Sequence, residues 1–370
     1  SGSLAGQVPS NATVPNTRFG KVRNTIIRAI AEGEIPSMSV AVAQGGEIIW
    51  EEAFGWANRE AMIPATPHTM YSMASISKPI ATTGLMTLVE RGEVNLSESV
   101  NTYIAPAELT AFEGNAEDAS VTHILNHTSG LPVHYSVFYE DEPLRQPPSP
   151  NESIRRYGIL VHPPGAEYQY ANFGFGLVSH IITKVSGRSF ADFMKTEVFL
   201  PLGMTHTSVD VGPGLEEFEA IRYDSQGKPV PFFISDHPGA SQVYASGHDL
   251  IRFGLFHLGH TLPEQRQIIT PESIDLMKRD SDPSPDNDRY GLGWFLNDDH
   301  TTLIMNDELD EQRRSINTTS YIFDVTDLDA PNMIGSYVGP TPAIDHNLYT
   351  KDGFIYETNY RAGLRILGSQ

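Results

Sequence analysis

The sequence predicts an α+β fold built from an antiparallel sheet and helices, and three observations lead to this prediction. An amphipathic helix near the start is followed directly by a β-hairpin. The middle of the chain is rich in apolar residues at helical spacing, and its last fifth holds short β-like runs between acidic turns. A helix that leads into antiparallel strands is typical of an α+β sheet.

The first elements follow a lead-in. Residues 1–17 are polar and rich in Pro and Asn, so we expect a poorly ordered segment there. Apolar residues recur at helical spacing over residues 18–34 and predict the first helix. Residues 38–43 and 47–54 then read as two strands of a hairpin, joined by a turn with two glycines.

The central helices carry stronger patterns. The clearest one covers residues 75–91, with a buried apolar stripe and a terminating glycine. Further helices are predicted at residues 173–185, 190–199 and 249–258. Residues 128–164 lack periodicity and predict a lid or wall loop, whereas residues 290–296 read as a strand.

Composition excludes several classes of function. The chain has 370 residues, with 25 Lys and Arg against 46 Asp and Glu, a formal net charge of −21. Such a surface repels phosphate backbones and anionic lipids, so we expect no nucleic-acid partner. No run approaches the ~20 apolar residues of a membrane span. The absence of Cys excludes disulfides, thiolate metal sites and cysteine nucleophiles. The oligomeric state stays open.

The tetrad Ser75-Ile76-Ser77-Lys78 lies at the start of the clearest predicted helix. Residues three apart share a helix face, so the Ser75 hydroxyl and the Lys78 amine are within reach of each other. A partly buried lysine can activate a serine nucleophile, and the helix start favours a developing oxyanion. The alternative is a chance spacing on a solvated face.

A second triplet, Tyr170-Ala171-Asn172, precedes another predicted helix. A lysine ammonium next to a tyrosine eases loss of the phenolic proton, so Tyr170 can act as a base. Asn172 has both a donor and an acceptor for Lys78 or a substrate carbonyl. Taken alone, the triplet is better interpreted as a loop tyrosine followed by an asparagine that caps the next helix.

Taken together, these residues resemble the motifs of the serine β-lactamase and penicillin-binding-protein superfamily, in particular its class C β-lactamase-like esterases and D-aminopeptidases. The resemblance covers residues 18–296. It rests on YSMASISK (71–78), ILNHTSGLP (124–132), PGAEYQYANFG (164–174), PLGM (201–204) and YGLGW (290–294). It implies a β-lactamase-like α/β sandwich, with an antiparallel sheet flanked by helices and a mostly helical second lobe.

The resemblance also implies roles for residues of this chain. Ser75 would be the acylated nucleophile, and its backbone N–H the first oxyanion donor. Lys78 would activate it, Tyr170 would be the general base, and Asn172 would bind substrate. The implied function is a serine hydrolase acting on a small-molecule ester, amide or peptide, without a cofactor. We rank esterase-like hydrolysis first, β-lactam or D-amino-acid peptide hydrolysis second, and acyl transfer third. A secreted or periplasmic location is favoured, with the cytoplasm left open.

The third motif of that family, a Lys or His two residues before a Gly, should follow Trp294 closely. His300 is near that place and is a candidate substrate-binding residue, although the expected glycine is missing. Lys351-Asp352-Gly353 matches the pattern but comes late, between two strand-like runs. We interpret it as a two-residue hairpin turn and leave the motif unassigned.

The last segment differs from the rest. Residues 298–366 resemble the propeller-type repeats of choice-of-anchor B proteins, in runs such as SYIFDVTDL (320–328). We therefore expect a catalytic domain at 18–297 and a diverged or foreign segment at 298–370, whose strands complete or adjoin the sheet. A non-catalytic binding or scaffold protein, which retains Ser75 without a complete oxyanion wall, is the alternative function.

One pair of histidines has a spacing that is found in metal-binding helices. His123 and His127 are four apart, but no Glu or third ligand lies at a useful spacing. We expect packing or hydrogen bonding from them, and no metal.

Overall fold

A computed structural model describes residues 9–12, 17–33, 35–142, 144–224, 226–279, 290–294 and 296, and six strands between residues 302 and 368. The chain divides into two compact units, each described by itself. The first contains residues 1–221 and 231–294, and the second residues 222–230 and 295–370. The predicted domain boundary after residue 297 stays a prediction.

The first unit mixes helices with short strands. Its strands are β1 (Ser10–Ala12), β2 (Ser37–Gln44), β3 (Glu47–Asn58), β4 (Ile63–Pro64), β5 (Met70–Ser72), β6 (Thr110–Ala111), β7 (Val137–Tyr139), β8 (Ile159–Leu160), β9 (Thr207–Val209), β10 (Phe233–Ser235) and β11 (Val243–Ser246). Its helices are α1 (Gly20–Ala31), α2 (Ser77–Glu90), α3 (Asn101–Ile104), α4 (Val121–Leu125), α5 (Pro150–Tyr157), α6 (Asn172–Ser186), α7 (Phe190–Met194), α8 (Pro238–Ser241), α9 (Gly247–His257) and α10 (Pro271–Met277).

An antiparallel sheet forms the first layer. Its strands run in the order β1-β3-β2, with β4 paired to β3, and the predicted hairpin is confirmed. Alternate side chains of a strand point to opposite faces. Trp50 and Phe54 of β3 therefore pack with Ile26 of α1, whereas Glu51 reaches His248 of α9 on the other face. The sheet lies between these two helices.

Within the expected lead-in, Ser10–Ala12 form a strand, and the expectation that residues 1–17 are poorly ordered stays a prediction. This strand pairs antiparallel with β3, from Ser10 opposite Phe54 to Ala12 opposite Glu52. The outer edge of β3 presents backbone groups that need partners, and a polar segment can supply them as well as an apolar one. The edge strand therefore forms without an apolar pattern.

The larger core is helical and surrounds α2. Eleven residues of α2, including Lys78 and Leu85, are buried, so this helix is enclosed on nearly every side. Helices α6, α7 and α8 pack against it. The predicted helices at 75–91, 173–185 and 249–258 are confirmed as α2, α6 and α9. The predicted α+β class matches this combination of sheet and helices.

Three predicted elements differ from the structure. Over the predicted helix at 190–199, only the first half is α-helical, as α7. Lys195–Phe199 continues the chain as a π-helical turn. The loop at 128–164 contains α5, whose first turn is capped by Ser149. The prediction of a strand at 290–296 is wrong for the described residues 290–294. The Gly291 N–H donates to the Trp294 carbonyl, so these residues form a turn.

The second unit contains two antiparallel three-stranded sheets. They are formed by β12 (Thr302–Asn306), β13 (Thr319–Asp324) and β14 (Asn332–Val338), and by β15 (Asp345–Lys351), β16 (Phe354–Asn359) and β17 (Gly363–Gly368). Lys351 pairs with Phe354, so two residues connect β15 and β16. This register confirms the predicted hairpin. Residues 352 and 353 themselves, and His300, lie outside the described residues.

Within the described parts of the chain, no helix combines the length and the apolar character needed to cross a bilayer.

We predict that Gly293→Ala lowers the free energy of unfolding more than Gly187→Ala does. Both glycines have positive φ, +76° and +70°, so each alanine costs about 1 kcal/mol in backbone conformation. A Cβ at 293 would also lie 2.3 Å from Thr82 Oγ1, which is buried in α2, whereas no atom of the described residues lies within 4 Å of a Cβ at 187. Urea unfolding of the two variants measures the difference. Equal losses would contradict the close packing of residue 293 on α2.

Candidate active site

The nucleophile candidate lies between a strand and a helix. After β5, a 3₁₀ turn at Ala74–Ile76 carries Ser75 to the start of α2. Val243 of β11 holds both sides of this turn: its carbonyl accepts from the Met73 N–H at 2.8 Å, and its N–H donates to Ser77 Oγ at 3.0 Å. Ser75 itself is exposed, so its hydroxyl is accessible to a substrate.

The Lys78 amine lies directly beneath this hydroxyl. Its Nζ donates to Ser75 Oγ at 3.0 Å and to the Ala240 carbonyl at 3.2 Å. Only 1% of the residue is exposed. Nζ also lies 4.6 Å from the centre of the Tyr170 ring, a distance at which a cation is attracted to the ring face.

The Ala240 carbonyl reaches Lys78 because α8 lies very close to α6. A Cβ at Gly239 would be 2.4 Å from the Phe175 carbonyl oxygen, so only glycine permits this approach. The carbonyl is a neutral acceptor. It can therefore hold the amine in place without providing a counter-charge.

Tyr170 completes the group from the other side. Its hydroxyl donates to Ser75 Oγ at 2.9 Å. His127 fixes the residues on either side of it: its carbonyl accepts from the Gln169 N–H at 2.7 Å, and its Nδ1 accepts from the Ala171 N–H at 3.1 Å. The His127 ring is fully buried and lies 4.4 Å from the Tyr170 ring. The phenol is therefore held by backbone and ring contacts together.

Burial controls protonation in this site. Desolvation lowers the pKa of Lys78 from 10.5 to about 7, because no carboxylate of the described residues offsets the loss of water around its charge. Burial, and secondarily the Lys78 charge, hold the pKa of His127 well below its usual range. His127 is therefore neutral near pH 7, whereas Lys78 populates both its charged and its neutral form.

The structure thus brings Ser75, Lys78 and Tyr170 into one hydrogen-bonded group. Asn172, the fourth predicted residue, is the first residue of α6 and is half-buried. Its substrate-binding role stays a prediction. So does that of His300, which lies outside the described residues.

The predicted hydrogen-bonding roles of the histidine pair are confirmed. His123 Nδ1 accepts from the Ser120 N–H at 3.2 Å and so helps to cap α4, and His127 binds Ala171. The sequence analysis did not predict that His127 positions Tyr170. The location of His127 in the motif at residues 124–132 could have indicated a role in the site. The Ala240 carbonyl was not predicted either, because every residue has a backbone carbonyl and the sequence does not distinguish this one.

The family profile described as Beta-lactamase matches residues 22–354. Among curated relatives, Protein flp of Staphylococcus aureus (strain MRSA252) is 26% identical over 288 residues, which are 76% of this chain and 56% of that protein. The chain thus spans about half the length of this relative.

Two solved structures show the same fold. One is the β-lactamase/D-alanine carboxypeptidase from Pseudomonas syringae, with a TM-score of 0.63 at 19% identity over 95% of this chain and 94% of that one. The other is EstCE1, a hydrolase with promiscuous acyltransferase activity, with a TM-score of 0.64 at 20% identity over 87% and 93%. They confirm the predicted fold. These matches do not show the propeller-type resemblance of residues 298–366, which stays a prediction.

We predict that Lys78→Met stabilises the protein at pH 6 and much less at pH 10. Lys78 has a pKa of 10.5 when unfolded and about 7 when folded. Between these values the unfolded chain binds more protons, so through this group the free energy of unfolding rises with pH. Below pH 7 the buried charge costs on the order of several kcal/mol, which the variant avoids.

Urea unfolding of wild type and variant across this pH range measures the gain. Lys195→Met, at an exposed lysine, is the matched control and should show no such gain. A gain that did not depend on pH would contradict a lowered pKa for Lys78.

Proposed function

The chain belongs to the β-lactamase family, and we propose that it is a serine hydrolase that cleaves an ester or amide through an acyl-enzyme on Ser75. One observation carries the proposal: Ser75 Oγ is exposed and lies 3.0 Å from a buried lysine amine and 2.9 Å from a tyrosine hydroxyl. A serine hydroxyl needs such a neighbour to take its proton as it attacks.

In the proposed acylation, Ser75 Oγ attacks the substrate carbonyl and forms a new C–O bond. Its proton passes to the Lys78–Tyr170 pair, for which neutral Lys78 supplies the free electron pair. The same proton is then delivered to the leaving group as the old C–O or C–N bond breaks. The backbone N–H of Ser75 donates to the oxyanion, close to the start of α2.

In the proposed deacylation, the Lys78–Tyr170 pair accepts a proton from water. Lys78 and Tyr170 take this proton as the water attacks the acyl carbon. They return the proton to Ser75 Oγ as the bond between that oxygen and the acyl carbon breaks and the acid leaves. Asn172 is proposed to bind the substrate from the start of α6, and His300 is the proposed contact from the third motif. No cofactor is required by this sequence of steps.

For the substrate we rank esters first, β-lactams or D-amino-acid peptides second, and transfer of the acyl group to another acceptor third. The names of the structural relatives support this range, since they describe a β-lactamase/carboxypeptidase and a hydrolase with acyltransferase activity. An ester needs the least help at its leaving group, which suits an exposed nucleophile with a shared proton carrier.

We predict that Ser75→Ala abolishes turnover of p-nitrophenyl acetate and labelling by a fluorophosphonate, measured by intact mass, because the acylated oxygen is gone. Ser72→Ala, at a half-buried serine of β5, is the matched control and should retain both. Circular dichroism checks the folding of each variant. A folded wild-type protein that neither labels nor turns over would favour the scaffold alternative.

We predict that Tyr170→Phe and Lys78→Ala each lower the acylation rate by about 10²-fold or more, as expected for positioned acid–base groups. The double variant should lose far less than the product of the two, because the residues share one proton path. Pre-steady-state release of p-nitrophenol measures these rates. Additive losses would show that the two groups act separately.

The wild-type acylation rate should also rise with pH around 7, as Lys78 loses its proton. This inflection should be absent from Lys78→Ala. A rate that fell with increasing pH in this range would be inconsistent with neutral Lys78 as the acceptor.

A further inference from the structure

A second cluster of polar side chains lies outside the serine site. His134, Asp236 and His237 bring one ligand atom each into a group that could hold a metal ion, the one such group among the described residues. His134 follows α4 in an extended segment, whereas the other two immediately precede α8. The short pairing of β7 with β10 brings the two segments together.

The spacing of the ligand atoms fits a small tetrahedral ion. His134 Nδ1 and His237 Nε2 share a hydrogen bond of 2.9 Å, and His134 Nδ1 lies 3.4 Å from Asp236 Oδ2. The three ligand atoms lie within 4.8 Å of one another. Zinc bonds to imidazole nitrogen and carboxylate oxygen imply separations of about 3.4 Å between tetrahedral ligands. Zinc would replace the hydrogen bond between the two ring nitrogens, displace its proton and separate the nitrogens by a few tenths of an ångström.

The carboxylate has an unused oxygen in this cluster. The Asp236 side chain is 1% exposed, and its Oδ2, 3.4 Å from His134 Nδ1, has no hydrogen-bond partner among the described residues. Its other oxygen, Oδ1, accepts from the Ser136 N–H at 3.0 Å. A buried unpaired carboxylate oxygen is costly, whereas one oxygen on a metal and the other on a backbone N–H is a common arrangement.

Neighbouring aromatic rings fix the orientation of the two imidazoles. The His134 ring stacks on Tyr157 at 3.6 Å, and the His237 ring meets Phe173 edge to face at 5.1 Å. Neutral, oriented imidazoles are the form that binds metals.

We propose that His134, Asp236 and His237 form a zinc site, with Asp236 Oδ2 and the two ring nitrogens as ligands. A cavity of about 340 Å³, lined in part by Asp236, Ser136 and Tyr157, adjoins the cluster. Asp236 is the one residue of the cluster that lines this cavity, so we propose that water, the fourth ligand, enters from the Asp236 side. Two imidazoles with one carboxylate at tetrahedral spacing favour zinc over calcium or magnesium, which prefer more oxygen ligands.

The zinc would join the extended segment at His134 to the start of α8. Ala240, whose carbonyl holds Lys78, is three residues beyond His237. The Tyr135 hydroxyl and Ser241 Oγ are already 2.8 Å apart, so the metal would reinforce an existing link. Its role is to stabilise this link, and the serine chemistry is not routed through it.

The test uses the full chain, stripped with EDTA and then titrated with Zn²⁺ alone. Calorimetry should find one zinc per chain, and the melting temperature should rise with Zn²⁺. Asp236→Asn and His237→Gln should weaken binding by about 100-fold or more and abolish the rise in melting temperature. His180→Gln is the matched control: this histidine lines a neighbouring cavity with His237 but is outside the cluster, so binding should be unchanged.

Stripped wild type that binds no zinc would overturn the proposal, as would an Asp236→Asn protein that is folded and binds as tightly as wild type. If the buried variants fail to fold, His134→Ala decides the matter, because that side chain is 15% exposed. The Co²⁺-loaded protein should show the intense visible bands of four-coordinate cobalt. A six-coordinate spectrum would contradict the tetrahedral site. Labelling of Ser75 is a separate readout, so failure here leaves the hydrolase proposal standing.

Discussion

The burial of one amine governs the arrangement around Ser75. Lys78 lies inside the helical core with almost no contact with water, and its ammonium form has no carboxylate partner in the contacts described. The protein meets this cost with two neutral acceptors, Ser75 Oγ and the Ala240 carbonyl, and with the face of the Tyr170 ring. Each of these three groups is held in place by contacts from another segment of the chain.

Those constraints reach three segments of the chain. The hydroxyl depends on the turn that Val243 holds, the carbonyl depends on the approach of α8 to α6 at Gly239, and the ring depends on His127. An apolar residue at position 78 would remove the need for all three. The structure therefore carries several costly features whose shared effect is an amine that can lose its proton near neutral pH.

The sequence predicts the local part of this site better than the rest. Helical spacing alone places Ser75 near Lys78, since both belong to one turn. Tyr170 is 95 residues away, and only its match to a known motif associates it with them. Ala240 acts through a backbone atom, and His134 is about a hundred residues from Asp236, so no local pattern could indicate either. Residues 290–294 alternate like a strand, but the positive φ of Gly293 turns the backbone instead.

The wide separation of these groups along the chain has a consequence for how the protein is made. In an incompletely folded chain, Ser75 and Lys78 are present, but water surrounds the amine and its pKa remains 10.5. The proton acceptor appears only when the segment at Ala240, 162 residues later, closes over Lys78. Ser75 is therefore an ordinary hydroxyl on the nascent chain. Its reactivity therefore depends on the formation of the core that buries Lys78.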